Sequence, residues 1–134
     1  MRKFLSILLL SLLFGFNVYA DYNWIKVATS VNGAVHYVDT SLIKKVKNQN
    51  SGWYNVYYYQ LSDYAKPTRS GDLSIKAYVE VNCVDYNFRH LKLIYYPEPM
   101  GNGKPIIDNS QGDWNNSEKD TVSYGIAEFV CDYE

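Results

Sequence analysis

Cysteine and histidine are scarce in this chain of 134 residues, which contains two of each. The pairs Cys83/Cys131 and His36/His90 lack the close ligand spacing of a zinc site. Neither histidine lies beside a serine or cysteine nucleophile in a recognisable spacing, so both are expected to be surface or edge residues. The sequence therefore predicts no metal site, no cofactor and no enzymatic activity.

An excess of positive charge is also lacking. Two of the 13 basic residues and none of the 14 acidic ones lie in the first 20 positions, so the rest of the chain has a net charge of −3. A weakly acidic chain has no overall field that attracts nucleic acid. We therefore expect no nucleic-acid partner.

Long apolar runs are limited to residues 4–16, a stretch too short for a transmembrane helix, which needs about 20 apolar residues. The run follows Arg2 and Lys3 and is followed by the small residue Ala20 at a suitable distance, the pattern of a secretory signal peptide. We expect residues 1–20 to be removed and the mature domain to span 21–134, without a transmembrane segment. An uncleaved anchor is the alternative.

Both cysteines lie in the exported part of the chain. In an oxidising compartment such a pair is most simply a disulfide, and two free buried thiols are the alternative. A Cys83–Cys131 bridge would stabilise the fold by about 4 kcal/mol in the chain-entropy model.

Tyrosine, in contrast, is abundant, with 14 residues in the chain. Strands favour aromatic residues, and a phenol suits a sheet face that is half buried and half in water. Tyrosine is also enriched at protein interfaces. We favour strand propensity as the main explanation and keep an adhesive surface as the second.

Alternation of apolar and polar residues predicts an antiparallel sheet. It is clearest at 73–83, where one face is expected to be core and the other wet or interfacial. The strand at 53–64 has aromatic residues on both faces and is expected to be covered on both sides for part of its length. The predicted strands are 23–29, 34–39, 53–64, 73–83, 88–96 and 106–107, with hairpins at 31–33 and 84–87.

Between the second and third strands, residues 39–43 resemble a capped helical turn. Lys44, Lys45 and Lys47 then lead into a turn-rich loop at 48–52.

A change of period from residue 117 onward predicts a C-terminal amphipathic helix. Ser117 or Asp120 could cap it. Gly125 lies inside this helix, where glycine costs roughly 1 kcal/mol relative to alanine, so a close approach to the sheet would explain it. Cys131 points nearly opposite the apolar stripe, which implies that the helix loosens before it or is buried on two sides. The chain is thus predicted to be a single α+β domain.

An ordered set of motifs across this domain resembles the bacterial surface-adhesin protein E family. The motifs are 37–43 (YVDTSLI), 61–64 (LSDY), 75–83, 95–96 (YY), 100–104 (MGNGK), 113–114 (DW) and 130–131 (VC). The resemblance implies a curled antiparallel sheet of about six strands, with the C-terminal helix tied to it by the cysteine pair. It also implies adhesion to host or matrix proteins. Because Asp21 stands where a surface lipoprotein would have its lipid-bearing cysteine, we expect either the periplasm or the outer cell surface.

Three functions are carried forward. The first is a non-enzymatic module that binds host matrix proteins or the cell's own envelope proteins, and it is compatible with a homo-oligomer. The second is a periplasmic protein that binds a haem-like or aromatic small molecule with His36 or His90 as a ligand, and the third is an enzyme. A large apolar pocket beside a histidine would favour the second, and an exposed aromatic patch without a cavity the first. The candidate protein contacts are Lys44, Lys45, Lys47, Trp53, Tyr54, Tyr57, Tyr58 and Tyr59.

Overall fold

The structure is a computed structural model that describes residues 22–134. The predicted signal peptide and its cleavage after Ala20 lie outside these residues. Within residues 22–134, no helix has the length and apolar character needed to cross a membrane.

The described chain forms a seven-stranded, curled antiparallel sheet and a C-terminal helix, which confirms the predicted α+β fold. The sheet order is β1-β2-β4-β5-β6-β7, and β3 pairs with the part of β4 that β2 leaves free. The elements are β1 (Trp24–Thr29), β2 (Val35–Asp39), β3 (Lys44–Lys47), β4 (Tyr54–Asp63), β5 (Ser74–Asn82), β6 (Phe88–Tyr96), β7 (Ile106–Asp108) and α1 (Val122–Asp132).

The two predicted hairpins, β1–β2 and β5–β6, are both present. The first turn needs the conformational freedom of Gly33, which has a φ of 88°. In β6 a bulge leaves Leu91 without a partner, because Tyr78 pairs with Lys92 and Val79 with His90. The bulge therefore changes which face of the sheet the neighbouring side chains occupy.

Strand β3 was not predicted, and placing its lysines in the approach to a loop was wrong. Lys44 to Lys47 pair in antiparallel register with Tyr57 to Tyr54 of β4. The segment is exposed along its whole length, so it has no buried side to produce an apolar alternation. Lysine is a common residue of edge strands because its charge prevents pairing with other chains.

The hydrophobic core lies between α1 and one face of the sheet, which we call the inner face; the opposite one is the outer face. The inner face contributes Val56, Val79 and Val81, and all three are fully buried or nearly so. This confirms the core predicted for the alternating strand. The helix residues packed against them are Ile126, Ala127 and Val130.

The C-terminal end of α1 is fastened to the sheet in two ways. The predicted disulfide is present: Cys83, just after β5, is bonded to Cys131 with an S–S distance of 2.06 Å. Lys45 Nζ donates a hydrogen bond of 3.2 Å to the carbonyl oxygen of Cys131, where a cation is favoured by the helix dipole. The helix continues through Cys131 to Asp132 and does not loosen before it.

The start of α1 corrects two expectations. Thr121, and neither Ser117 nor Asp120, is the N-cap, and its Oγ1 accepts a hydrogen bond of 3.2 Å from the amide of Tyr124. Asp120 has a φ of 63°, whereas an N-cap residue is typically extended. The expected close approach at Gly125 is also wrong, because a Cβ built there meets no atom within 4 Å.

Candidate functional site

The register between β4 and β5 decides which side chains share the outer face. Residues directly opposite each other in an antiparallel pair project to the same side of the sheet. The pairs on the outer face are Asn55 with Asn82, Tyr57 with Glu80, Tyr59 with Tyr78, and Leu61 with Lys76.

Three tyrosines from these pairs are packed in a line across the two strands. The ring centroids of Tyr57 and Tyr78 are 6.2 Å apart, and those of Tyr59 and Tyr78 are 4.7 Å apart. All three side chains are half-buried, so part of each ring is open to solvent. Contacts of this type stabilise the pair and hold the rings in place.

Lys76 extends this line to a second pair of rings. Its Nζ lies 5.9 Å from the ring centre of Tyr59 and 4.5 Å from that of Tyr22, and donates a hydrogen bond of 2.8 Å to the Tyr22 hydroxyl. Tyr22 is stacked on Trp24 at 5.1 Å. Partial burial alone would lower the pKa of Lys76, but its interactions with neighbouring phenols raise it, so this side chain is cationic at neutral pH. We call Trp24, Tyr22, Tyr59, Tyr78 and Tyr57 the aromatic row.

Glu80 anchors the other end of the aromatic row. Its carboxylate accepts hydrogen bonds of 2.9 Å from both Asn55 Nδ2 and the Tyr57 hydroxyl. Arg89 donates from Nε and Nη2 to Oε1 at 2.7 Å each, and its guanidinium lies 4.6 Å from the ring centre of Trp114.

Desolvation alone would raise the pKa of the Glu80 carboxyl, but the hydrogen bonds from these three side chains outweigh it and lower the pKa. Glu80 is buried, as is Ser74 on the same face, so the face that was expected to be wet or interfacial is not wet at these two positions. The 3₁₀ turn Pro99–Gly101 covers Leu61 at one end of the face, which confirms that β4 is covered on both sides for part of its length.

The structure separates the predicted contact residues into groups. Tyr57 and Tyr59 belong to the aromatic row, and Lys44 lies beside Tyr57 on the same face. Tyr58 points to the inner face and is only 3% exposed, so it is a core residue and its proposal as a contact was wrong. The alternation of a strand places it opposite to its two neighbours.

The remaining candidates lie away from the aromatic row. Trp53 and Tyr54 are exposed at the start of β4, and Lys47 pairs with Tyr54. Lys45 donates a hydrogen bond to the carbonyl oxygen of Cys131 at the end of α1. Six residues of this face were not among the predicted contacts: Tyr22, Trp24, Lys76, Tyr78, Arg89 and Trp114. The polar positions of the alternation in 73–83 were the signal for two of them; the others come from distant segments.

A separate cavity of about 310 Å³ lies on the inner face, between the sheet and the first turns of α1. Its lining includes His36, His90, Phe88 and Ile126. His36 is buried, so the expectation that it is a surface or edge residue was wrong, whereas His90 is half-buried. Burial lowers the pKa of both imidazoles.

Both ring nitrogens of His36 are already engaged. Nε2 lies 2.6 Å from Ser30 Oγ, and Nδ1 lies 2.8 Å from Ser62 Oγ. A haem iron or metal ion could bind His36 only by breaking one of these hydrogen bonds. His90 packs edge-on against Phe88 at 5.8 Å. The cavity volume lies at the lower end of the ~300 to 1,000 Å³ range of ligand pockets. Within residues 22–134, no group of three His, Cys, Asp or Glu side chains could hold a metal ion.

A curled sheet with a helix on its inner face and half-exposed rings on its outer face defines a small binding domain. The chain belongs to the family described as Surface-adhesin protein E, whose model matches residues 24–132. The resemblance read from the sequence is thereby confirmed, and the protein is an adhesin-type binding module.

Solved structures of Haemophilus influenzae protein E have the same fold. Crystal form II of that protein matches with a TM-score of 0.58 and 21% identity, over 82% of this chain and 88% of that one. A crystal structure of protein E from non-typeable Haemophilus influenzae matches with a TM-score of 0.55 and 21% identity, over 85% of this chain and 78% of that one. No curated protein matches the sequence. Neither the family nor the fold supports the small-ligand alternative.

Proposed function

We propose that this protein is an exported, non-enzymatic module that binds other proteins through the aromatic row on its outer face. The observation that carries the proposal is that the side chains of the aromatic row, together with Lys76, are in continuous contact from Trp24 to Tyr57. Part of each ring is open to solvent. The partners are host matrix proteins or the cell's own envelope proteins. The adhesin family supports protein binding in general, and the aromatic row is the surface to which we assign it.

The row suits this role because its side chains are held before a partner arrives. The Tyr57 hydroxyl is bonded to Glu80, and Tyr59 is packed against Tyr78. Side chains that are already ordered lose less conformational entropy on binding. Tyrosine also combines apolar contact area with a hydrogen-bonding hydroxyl, which is why it is frequent among the energetically dominant residues of interfaces.

The proposed location is the periplasm or the outer cell surface. It follows from the signal peptide predicted at residues 1–20, which leaves the domain 21–134 as the mature protein. Fractionation of the native cells, followed by N-terminal sequencing of the exported protein, tests both points. A chain that starts at Met1 would contradict the proposed processing.

Capture of partner proteins by paired variants tests the proposed binding face. Tyr59→Ala/Tyr78→Ala removes the centre of the row, whereas Trp53→Ala/Tyr54→Ala removes two exposed aromatic residues outside it. Wild type and both variants are passed over immobilised matrix and immobilised envelope proteins, after circular dichroism has verified their fold. We expect the first variant to lose about tenfold or more in apparent affinity, and the control markedly less.

Equal capture by wild type and the Tyr59/Tyr78 variant would refute the proposed face. Loss of capture in the Trp53/Tyr54 variant alone would move the contact to the start of β4. The small-ligand function would be assigned instead if both variants captured partner proteins as well as wild type does, and if wild type bound a small aromatic molecule tightly and His90→Ala did not.

A further inference from the structure

Basic residues are concentrated on the outer face, although the chain beyond residue 20 has a net charge of −3. The register places Lys26 opposite Tyr37, Lys44 opposite Tyr57 and Lys92 opposite Tyr78. The same face also contains Lys76 and Arg89. The face is therefore locally basic on a domain that is acidic overall.

The carboxylates of the outer face do not cancel this charge locally. Glu80 forms an ion pair with Arg89. Asp63, at the edge of the face, accepts a hydrogen bond of 2.8 Å from the amide of Met100. Asp39 is fully buried and accepts hydrogen bonds from the amides of Asn23 and Ser41.

Three of the cations, in contrast, have no internal partner. Lys26, Lys44 and Lys92 make no hydrogen bond or ion pair with any residue in the described range 22–134. Lys44 lies on β3 and Lys92 on β6, so they flank Tyr57, Tyr59 and Tyr78 from opposite sides. Each of these lysines is paired in register with a tyrosine of the same face.

We propose that the outer face binds an acidic segment of a partner polypeptide, with carboxylates on the free lysines and apolar side chains on the aromatic row. This inference rests on the proposed function, and it names the chemistry of the partner. Complementary charge would steer the encounter and set the orientation, while the tyrosines would supply contact area.

The strand geometry also predicts the spacing of the acidic residues. Three strand spacings of about 4.8 Å and an offset of two residues along the strands separate Lys44 from Lys92 by about 16 Å. An extended peptide rises by about 3.3 Å per residue and alternates its side chains, so carboxylates about four or six residues apart would lie on one side and reach both lysines. Apolar or aromatic residues between them would lie on Tyr59 and Tyr78.

Fluorescence anisotropy with a labelled peptide tests this chemistry directly. The probe has two glutamate pairs about five residues apart, which include spacings of about four and six, with leucine and tyrosine between them, and its control has glutamine in place of glutamate. We expect wild-type protein to bind the glutamate peptide about tenfold more tightly than the glutamine peptide at low salt. This difference should decrease at higher ionic strength, because salt screens exposed charges.

A pair of charge-matched variants locates the site. Lys44→Glu/Lys92→Glu reverses both flanking charges, and Lys66→Glu/Lys119→Glu changes the net charge equally at exposed positions outside the sheet. We expect the first variant to weaken binding of the glutamate peptide about tenfold, and the second much less. Circular dichroism and thermal melting verify that both variants are folded.

Equal weakening by the two variants would show an effect of net charge only and would overturn the inference. Equal binding of the glutamine peptide, or binding of a sulfated polysaccharide without binding of the glutamate peptide, would also overturn it. If capture of matrix or envelope proteins depends on Tyr59 and Tyr78 but is unchanged in Lys44→Glu/Lys92→Glu, the proposed binding face stands and the acidic partner is wrong.

Discussion

Tyr57, Tyr58 and Tyr59 are consecutive in β4, yet they have different surroundings. Tyr58 is buried against α1, and burial raises the pKa of its phenol. Tyr57 and Tyr59 are half-buried on the outer face. A strand turns successive side chains to opposite faces, so identical residues alternate between the core and the half-exposed outer face. At the residue scale, the position relative to the sheet decides the role of each tyrosine.

Glu80→Gln tests how the outer face is held together. We expect the variant to lower the free energy of unfolding by about 2 kcal/mol at pH 7, because charge-assisted hydrogen bonds are lost and Arg89 loses its partner. The pKa of Glu80 is lowered in the folded state from an ordinary value of 4.5. Its contribution is therefore fully present above that value and is lost as the pH falls through the lower folded-state pKa.

Urea unfolding from pH 7 down to pH 3 measures this dependence. The difference between wild type and Glu80→Gln should shrink as the pH falls below 4.5. Glu128→Gln, at an exposed position of α1, is the matched control and should leave the stability nearly unchanged. A constant difference across this range would mean that ionised Glu80 is not what stabilises the cluster.

At the scale of an element, the apolar stripe of helix α1 is determined by the local sequence, whereas its first residue is not. Its apolar stripe packs on the inner face as predicted, because the period of 3.6 residues is a local property of the chain. The first residue of α1 depends on which of several possible capping residues adopts the extended conformation. In this structure that residue is Thr121. Several residues near the start could cap a helix, so composition alone does not select one.

Gly125→Ala is expected to stabilise the protein by about 0.5 to 1 kcal/mol, because alanine loses less backbone entropy in a helix. The added Cβ meets no atom within 4 Å, so no clash offsets the gain. Gly33→Ala is the contrasting variant: its φ of 88° is strained for alanine, and its Cβ would lie 3.4 Å from that of Ala65. Urea unfolding at neutral pH measures both, and destabilisation by Gly125→Ala would restore the close approach predicted from the sequence.

On the scale of the whole molecule, the disulfide joins the end of β5 to the last turn of α1 across a sequence separation of 48 residues. Cys83→Ser/Cys131→Ser is expected to lower the free energy of unfolding by about 2 to 5 kcal/mol, since the unfolded chain gains the freedom that the bridge removes. Urea unfolding of the variant measures the loss, and wild type with the bridge reduced should unfold at a similar concentration. Unchanged stability in both would contradict a structural role for the bridge.

The sequence alone was sufficient for the class of fold, the two hairpins, the C-terminal helix and the pairing of the cysteines. These features depend on alternation over a few residues, on turn formers such as Gly33, or on there being only two cysteines in the chain. Such signals are local, so they can be read without knowing which strands become neighbours.

Only the tertiary structure decided that β3 is a strand, that His90 faces the inner cavity, and that Tyr22, Tyr59 and Tyr78 form one surface. Each depends on register: β3 gains its hydrogen bonds from β4, and the bulge at Leu91 places His90 opposite Val79. A shift of one residue in a strand pair exchanges the two faces of the sheet. The position of the proposed binding face and its basic character were therefore set by long-range pairing, which no local pattern in the chain records.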